Sequence, residues 1–165
     1  MSSEEFKQDI EDWIIGWVSV HNEQLGHVPC PFARKALADK KIEWLLCEDK
    51  DSVEISLYGI MEMGLPNEVV VLGVDPIHIS PDELSELTHR ANEKWLMPSG
   101  IVALEDHPHD TETKNGVIMN QGKWCLILIQ EIAKLNDASL KLKAQGYYNK
   151  WTPEEMDDVV NWRFK

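Results

Sequence analysis

The run Glu68-Val-Val-Val-Leu-Gly-Val74 constrains this chain more than any other segment. Consecutive β-branched residues without polar alternation describe a strand buried on both faces. Such a strand needs helices packed above and below it. The flanking segments supply them. Phe6, Ile10, Trp13, Ile14 and Trp17 recur at helical spacing and predict a helix from about Ser3 to His21. Gly26 and Pro29 break the chain, and Pro31 predicts a short helix through Ala38.

Ile42–Cys47 predicts the first strand. In residues 52–63, Val53, Ile55 and Leu57 alternate as a strand would, whereas Asp51, Glu54 and Gly64 are helix start and stop signals; the helix is favoured. Ser80-Pro-Asp-Glu83 opens a helix with Leu84, Leu87, Ala91 and Trp95 on its inner stripe. Pro98 and Gly100 end it, and Ile101–Leu104 predicts the third strand. Trp124–Ile129 has the composition of a strand, but neither Gly nor Pro separates it from the helical segment after Glu131. One long helix from about Lys123 to Gln145 is therefore expected. Thr152-Pro-Glu-Glu155 begins the last helix. The order α-α-β-α-β-α-β-α-α predicts an α/β fold with a small, mostly parallel sheet covered by helices. Residues 1–165 are expected to form one domain, with 147–165 a helical extension of it.

Sixteen Lys and Arg stand against 29 Asp and Glu, a net charge of −13. That balance argues against binding nucleic acid or an anionic membrane, which requires clustered Lys and Arg. The acidity sits in four runs: Glu4 to Asp12, Glu48 to Glu54, Glu105 to Glu112, and Glu154 to Asp158. Three of them read as helix starts, where carboxylates favour the positive end of the dipole. The run at 105–112 reads as a loop. Cys30, Cys47 and Cys125 form no CxxC pair, so a reducing compartment is expected. The acidic, amphipathic start is unlike a signal peptide, and no apolar run approaches the ~18 residues of a membrane span. The expectation is a soluble, cytoplasmic protein.

Ligands of an open parallel sheet bind at the carboxyl ends of its strands. Those ends carry Cys47, Glu48 and Asp49, then Asp75 and His78, then Glu105-Asp-His-Pro-His-Asp110. The last cluster suits either a divalent metal held by His107, His109 and Asp110 or an acid–base pair of His107 and Asp106, with a solvated loop as the plain alternative. Cys30 precedes a predicted helix start, where the dipole would lower its pKa, with Arg34 about one turn on; a small buried hydrophobe is the alternative. Asp75, His78, Asn115 and Arg34 are candidate ligand contacts, and Asn120, Gln121 and Lys123 could face a ligand from the start of the long helix. No Rossmann, phosphate-loop, HExxH, GxSxG or EF-hand template is present.

Cys30-Pro-Phe-Ala33, after a Trp-rich amphipathic helix, resembles the Leu-Cys-Pro-Phe-Ala signature of a bacterial family of domains of unknown function. Asn67–Pro76 is similar to that family's second strand, and Ile101–Pro108 to its third, which ends in Phe-His-Pro where this chain has Asp106-His107-Pro108. Its Arg-Ser-Pro segment is replaced here by Met119-Asn-Gln-Gly122. The resemblance implies no activity, but it singles out Cys30 and His107. Cys-Pro-Phe-Ala is also similar to the thiol motif of omega-class glutathione transferases, which place a strand, not a helix, before it. The leading expectation is a small acidic enzyme or ligand-binding protein with Cys30 as nucleophile or ligand and His107 as base or ligand. Any cofactor would be a divalent metal, and the partner a small molecule or a protein. The rival is a non-enzymatic acidic accessory protein that binds another protein.

Overall fold

The computed structural model describes residues 2–120 and 122–165. It is an α/β fold in which helices cover both faces of a four-stranded sheet. The strands are β1 (Ile42–Cys47), β2 (Val69–Val74), β3 (Ile101–Asp106) and β6 (Cys125–Glu131), in the order β1-β2-β6-β3. A two-stranded hairpin, β4 (Thr113–Lys114) with β5 (Val117–Ile118), lies apart from that sheet. The helices are α1 (Ser3–Trp13), α2 (Ala33–Ala38), α3 (Lys50–Met63), α4 (Pro81–Ala91), α5 (Ile132–Ala144) and α6 (Pro153–Val159). No helix among the described residues is long and apolar enough to cross a membrane.

The valine run does what its composition demands. Val70, Leu72 and Val74 face one layer with Val53 and Leu57 of α3 and Leu84 and Leu87 of α4. Val71 faces the other, with Phe6 and Ile10 of α1 and with Ile14, Val18 and Trp124. Gly73 shares that second face because Phe6 fills the space above it: a Cβ on Gly73 would lie 2.2 Å from the ring. α1 continues through a widened turn at Ile14–Val18 in place of the single helix to His21.

The expected long helix from Lys123 to Gln145 is two elements. Its first part is β6, paired antiparallel to both β2 and β3, so the sheet is mixed rather than mostly parallel. Burial at the sheet centre decides the matter: Cys125, Leu126, Ile127 and Ile129 are at most 1% exposed. No connecting loop is needed because the first amide of α5, on Ile132, donates to the Gly100 carbonyl (3.0 Å) just before β3. Helix and strand therefore share one hydrogen-bonded junction, which Gly and Pro signals do not report.

Residues 147–165 dock back on the body. The buried Arg163 guanidinium donates to Asn136 Oδ1 (2.9 Å) and Ser139 Oγ (3.0 Å), both on α5. The hairpin turns through Asn115 and Gly116, whose φ values of 49° and 79° suit a type I′ turn.

Candidate functional site

A cleft of about 690 Å³ opens between α4, β3, the 105–112 loop and α6. Glu105, Asp110 and Glu112 line one side and Asp157 and Asp158 another, and no Lys or Arg lines it among the described residues. Sequence position explains the first group, since β3 ends at Asp106 and delivers the acidic loop to that edge. Asn92 fixes the wall between α4 and β3. Its amide donates to the Ala103 carbonyl (2.9 Å) and accepts from the Ala103 N–H (2.8 Å), standing in for a neighbouring strand.

The carboxylates crowd one another. Burial pushes the Glu105 carboxyl above its usual range, and Asp110, Glu112 and Asp106 add to the effect against a hydrogen bond from Ser85. Asp106 is pushed up to about 6, by burial first and by Glu112 and Asp110, although the Asn120 amide donates to it. Lys114 offsets part of this charge: its buried ammonium lies 2.8 Å from Glu112 Oε1 and 5.9 Å from the Trp151 ring centroid.

Asp157 and Asp158 correct the expectation that the whole run from Glu154 caps a helix. Thr152 and Glu155 do form a capping box at the start of α6. That helix has only seven residues, so the two aspartates fall in its last turn, where the dipole disfavours negative charge. Counting a short helix forward from its cap would have revealed them.

The thiol and histidine candidates do not assemble. Cys30 packs with Trp13, Trp17, Ala33 and Leu37 on the α1 face of the sheet. α2 begins at Ala33 rather than at Pro31, and burial pushes the Cys30 thiol up, against the pull of the Phe32 and Ala33 amides. That is opposite to the lowering expected from a helix start. His107 is buried at the end of β3, where its Nε2–H donates to the Ile79 carbonyl (2.8 Å) and its Nδ1 accepts from the His109 N–H (3.0 Å). Ile79 belongs to the α3–α4 layer, the other side of the sheet from Cys30. With both ring nitrogens engaged, His107 has no free lone pair for a metal or a substrate proton.

No three His, Cys, Asp or Glu among the described residues stand close enough to hold a metal ion. The set His107, His109 and Asp110 therefore does not fit a divalent cation. Asp75 accepts from the Ile77 N–H (3.0 Å) and lies with Asp106 and Glu105 near Cys125, whose fully buried thiol is pushed up to about 12. His78 and Arg34 are exposed at the surface. Asn115 is engaged in the hairpin: its N–H donates to Glu155 Oε1 (3.0 Å) and its amide to the Gln24 carbonyl (2.6 Å). Asn120 bridges the Asp106 carboxylate and the Glu112 N–H. Lys123 pairs with Asp9 (2.7 Å) at the foot of β6, and Gln121 lies outside the described residues.

His27 lies away from the cleft, against the C-terminal segment. It stacks on Tyr147 at 3.8 Å and accepts from Trp151 Nε1–H (3.0 Å), while its Nδ1–H donates to the Val28 carbonyl (2.7 Å). It ties the first loop to the C-terminal segment. A second groove, of about 380 Å³, lies at the opposite end of the sheet; its Lys35, Lys41 and Lys134 pair with its own Asp39, Glu68 and Glu131.

No family model matches the chain, and no curated protein or solved structure matches it.

Proposed function

We propose that this chain is a non-enzymatic binding module whose acidic cleft receives a basic segment of a partner protein. The observation that carries this reading is the cleft itself, which gathers five carboxylates and, among the described residues, no Lys or Arg. The carboxylates are spread too widely for a metal ion, and Glu105 among them is held above its usual range by burial first and by its acidic neighbours second. A cationic ligand offsets both the burial of an ionised carboxylate and the repulsion from its neighbours, so it gains more here than at an isolated surface carboxylate. Asp157 and Asp158 give the same indication from the other wall: they stand in the last turn of α6, where the dipole disfavours negative charge, and the one side-chain contact there among the described residues is the Asn161 amide donating to Asp157 (2.7 Å).

The test uses N-acetylated hexalysine with a C-terminal fluorophore, followed by fluorescence anisotropy at low and physiological salt. Binding is expected to weaken sharply with salt and in Asp157→Asn/Asp158→Asn. It should persist in Glu43→Gln/Glu48→Gln, which removes equal charge from two exposed positions, one near the start of β1 and one just past its end. Equal loss in both double variants would reduce the binding to general attraction by net charge and refute the proposal.

A further inference from the structure

We infer that two copies of this chain join their sheets edge to edge, pairing β1 with β1 antiparallel about a twofold axis at Trp44. The inference is independent of the acidic cleft, which lies at β3, the other end of the strand order. β1 is hydrogen-bonded to β2 alone. The Val69 N–H donates to the Lys41 carbonyl (3.1 Å), and residues of a ladder alternate in direction. Glu43, Leu45 and Cys47 therefore bond to β2, while the N–H and C=O groups of Ile42, Trp44 and Leu46 point outward. Among the described residues nothing bonds those outward groups. Such edges are ordinarily closed by a bulge, a proline, a lysine or a covering element. β3 is closed in that way, by the Asn92 amide on Ala103. β1 runs in step with β2 without a bulge, contains neither proline nor lysine, and is apolar except at Glu43. Ile42, Trp44, Leu45 and Leu46 are all partly exposed, whereas residues 70–74 of β2 are all buried.

The occupant that fits this edge is a second copy. Outward groups must meet outward groups, which leaves few antiparallel registers. With Trp44 opposite Trp44 of the partner subunit, all three outward residues of each strand are used, Ile42 meeting Leu46 of the partner subunit. The next register on one side sets Glu43 against Glu43 of the partner subunit, a like-charge pair. The next on the other side sets Ile42 against Glu48 of the partner subunit, whose N–H is already taken by Ser52 Oγ (3.1 Å). The Trp44-centred register also brings Lys40 of each copy towards Glu48 of the partner subunit, at both ends of the new ladder. Both side chains are exposed, and neither forms an ion pair with the described residues of its own chain. The helix above leaves room for the contact. Cys47 Sγ lies 3.6 Å from Ser56 Oγ, so the flank of α3 that carries Ser52, Ser56 and Gly59 stands over β1. A Cβ on Gly59 would meet nothing within 4 Å. Glycine inside a helix is destabilising relative to alanine, and here it keeps that flank open for α3 of a second copy.

The test is amide hydrogen exchange of the full chain, followed by NMR over a concentration series, with sedimentation velocity reporting the mass. As the dimer forms, the amides of Ile42, Trp44 and Leu46 should become protected, and those of Glu43, Leu45 and Cys47, already bonded to β2, should change little. Lys40→Glu and Glu48→Lys should each weaken the dimer roughly tenfold, the value of turning two exposed ion pairs into repulsions. Lys40→Glu with Glu48→Lys in one chain should restore it. Gly59→Arg should abolish the dimer while its monomer unfolds at or above the denaturant midpoint of the parent monomer, because arginine favours the helix. A parent that stays monomeric to roughly 1 mM would overturn the pairing. So would protection that does not alternate along β1, single charge variants that dimerise as the parent does, or a double variant no tighter than the singles.

Discussion

Replacing Asp106 by Asn should stabilise this protein at neutral pH, an unusual outcome for a half-buried polar residue at a strand end. Its carboxyl moves from 3.8 to about 6, mainly through burial. That shift of about two units corresponds to roughly 3 kcal/mol of destabilisation when the group is ionised. The amide loses a charge-assisted acceptor for Asn120 but keeps a neutral one, which costs about 1 kcal/mol. The net expectation for Asp106→Asn is a gain of about 1–2 kcal/mol at pH 7.5. The sign with pH follows from a raised acid: the folded state holds its proton more tightly, so the parent regains stability as pH falls through about 6 towards 3.8. The advantage of the variant should therefore shrink by about 2 kcal/mol between pH 7.5 and 4.5. Urea unfolding followed by tryptophan fluorescence at both pH values measures it, and the difference between variant and parent cancels other titrations. A variant less stable than the parent at both pH values would show that the ionised carboxylate is favourably held. That result would remove the burial penalty on ionised carboxyls at the end of β3, one support of the acidic-cleft reading.

Three further outcomes follow from named contacts. Gly73→Ala should destabilise by about 1–3 kcal/mol through overpacking against Phe6, and Phe6→Leu in the same chain should recover part of the loss, by denaturant titration of the single and double variants. His27 is held neutral, chiefly by burial, and accepts from a donor-only indole; its depressed pKa means a contribution to stability that is complete above 6.5 and lost as pH falls through the folded value. Histidine NMR should show His27 protonating below 6.5, and a titration above 6.5 would contradict the contact. Cys30 should react slowly with a disulfide reagent at neutral pH, because burial raises its thiol; fast reaction with a thiolate pKa below about 7 would restore it as a nucleophile candidate.

The fold was largely legible because local chemistry and burial agree there. Ile42–Cys47, the valine strand and the Ser80 and Thr152 helix starts all announce themselves through period and caps. β6 did not, because its junction with α5 is satisfied by a distant carbonyl at Gly100, and long-range hydrogen bonds leave no local mark. The same limit applies to the site. The run at 105–112 stood out as acidity that no helix start explains, and it does line the cleft. Asp157 and Asp158 were hidden by the capping signal before them. His107 carried the strongest motif but spends both nitrogens on backbone groups, a fact that only the packing of Ile79 and the following turn decides.

The most direct test of the acidic cleft is amide NMR of the labelled protein during titration with hexalysine. Shifts should concentrate at residues 85–92, 105–112 and 157–162, with little change along the equally acidic outer face of α1. Shifts spread over α1 and the rest of the acidic surface, or none at all, would contradict it.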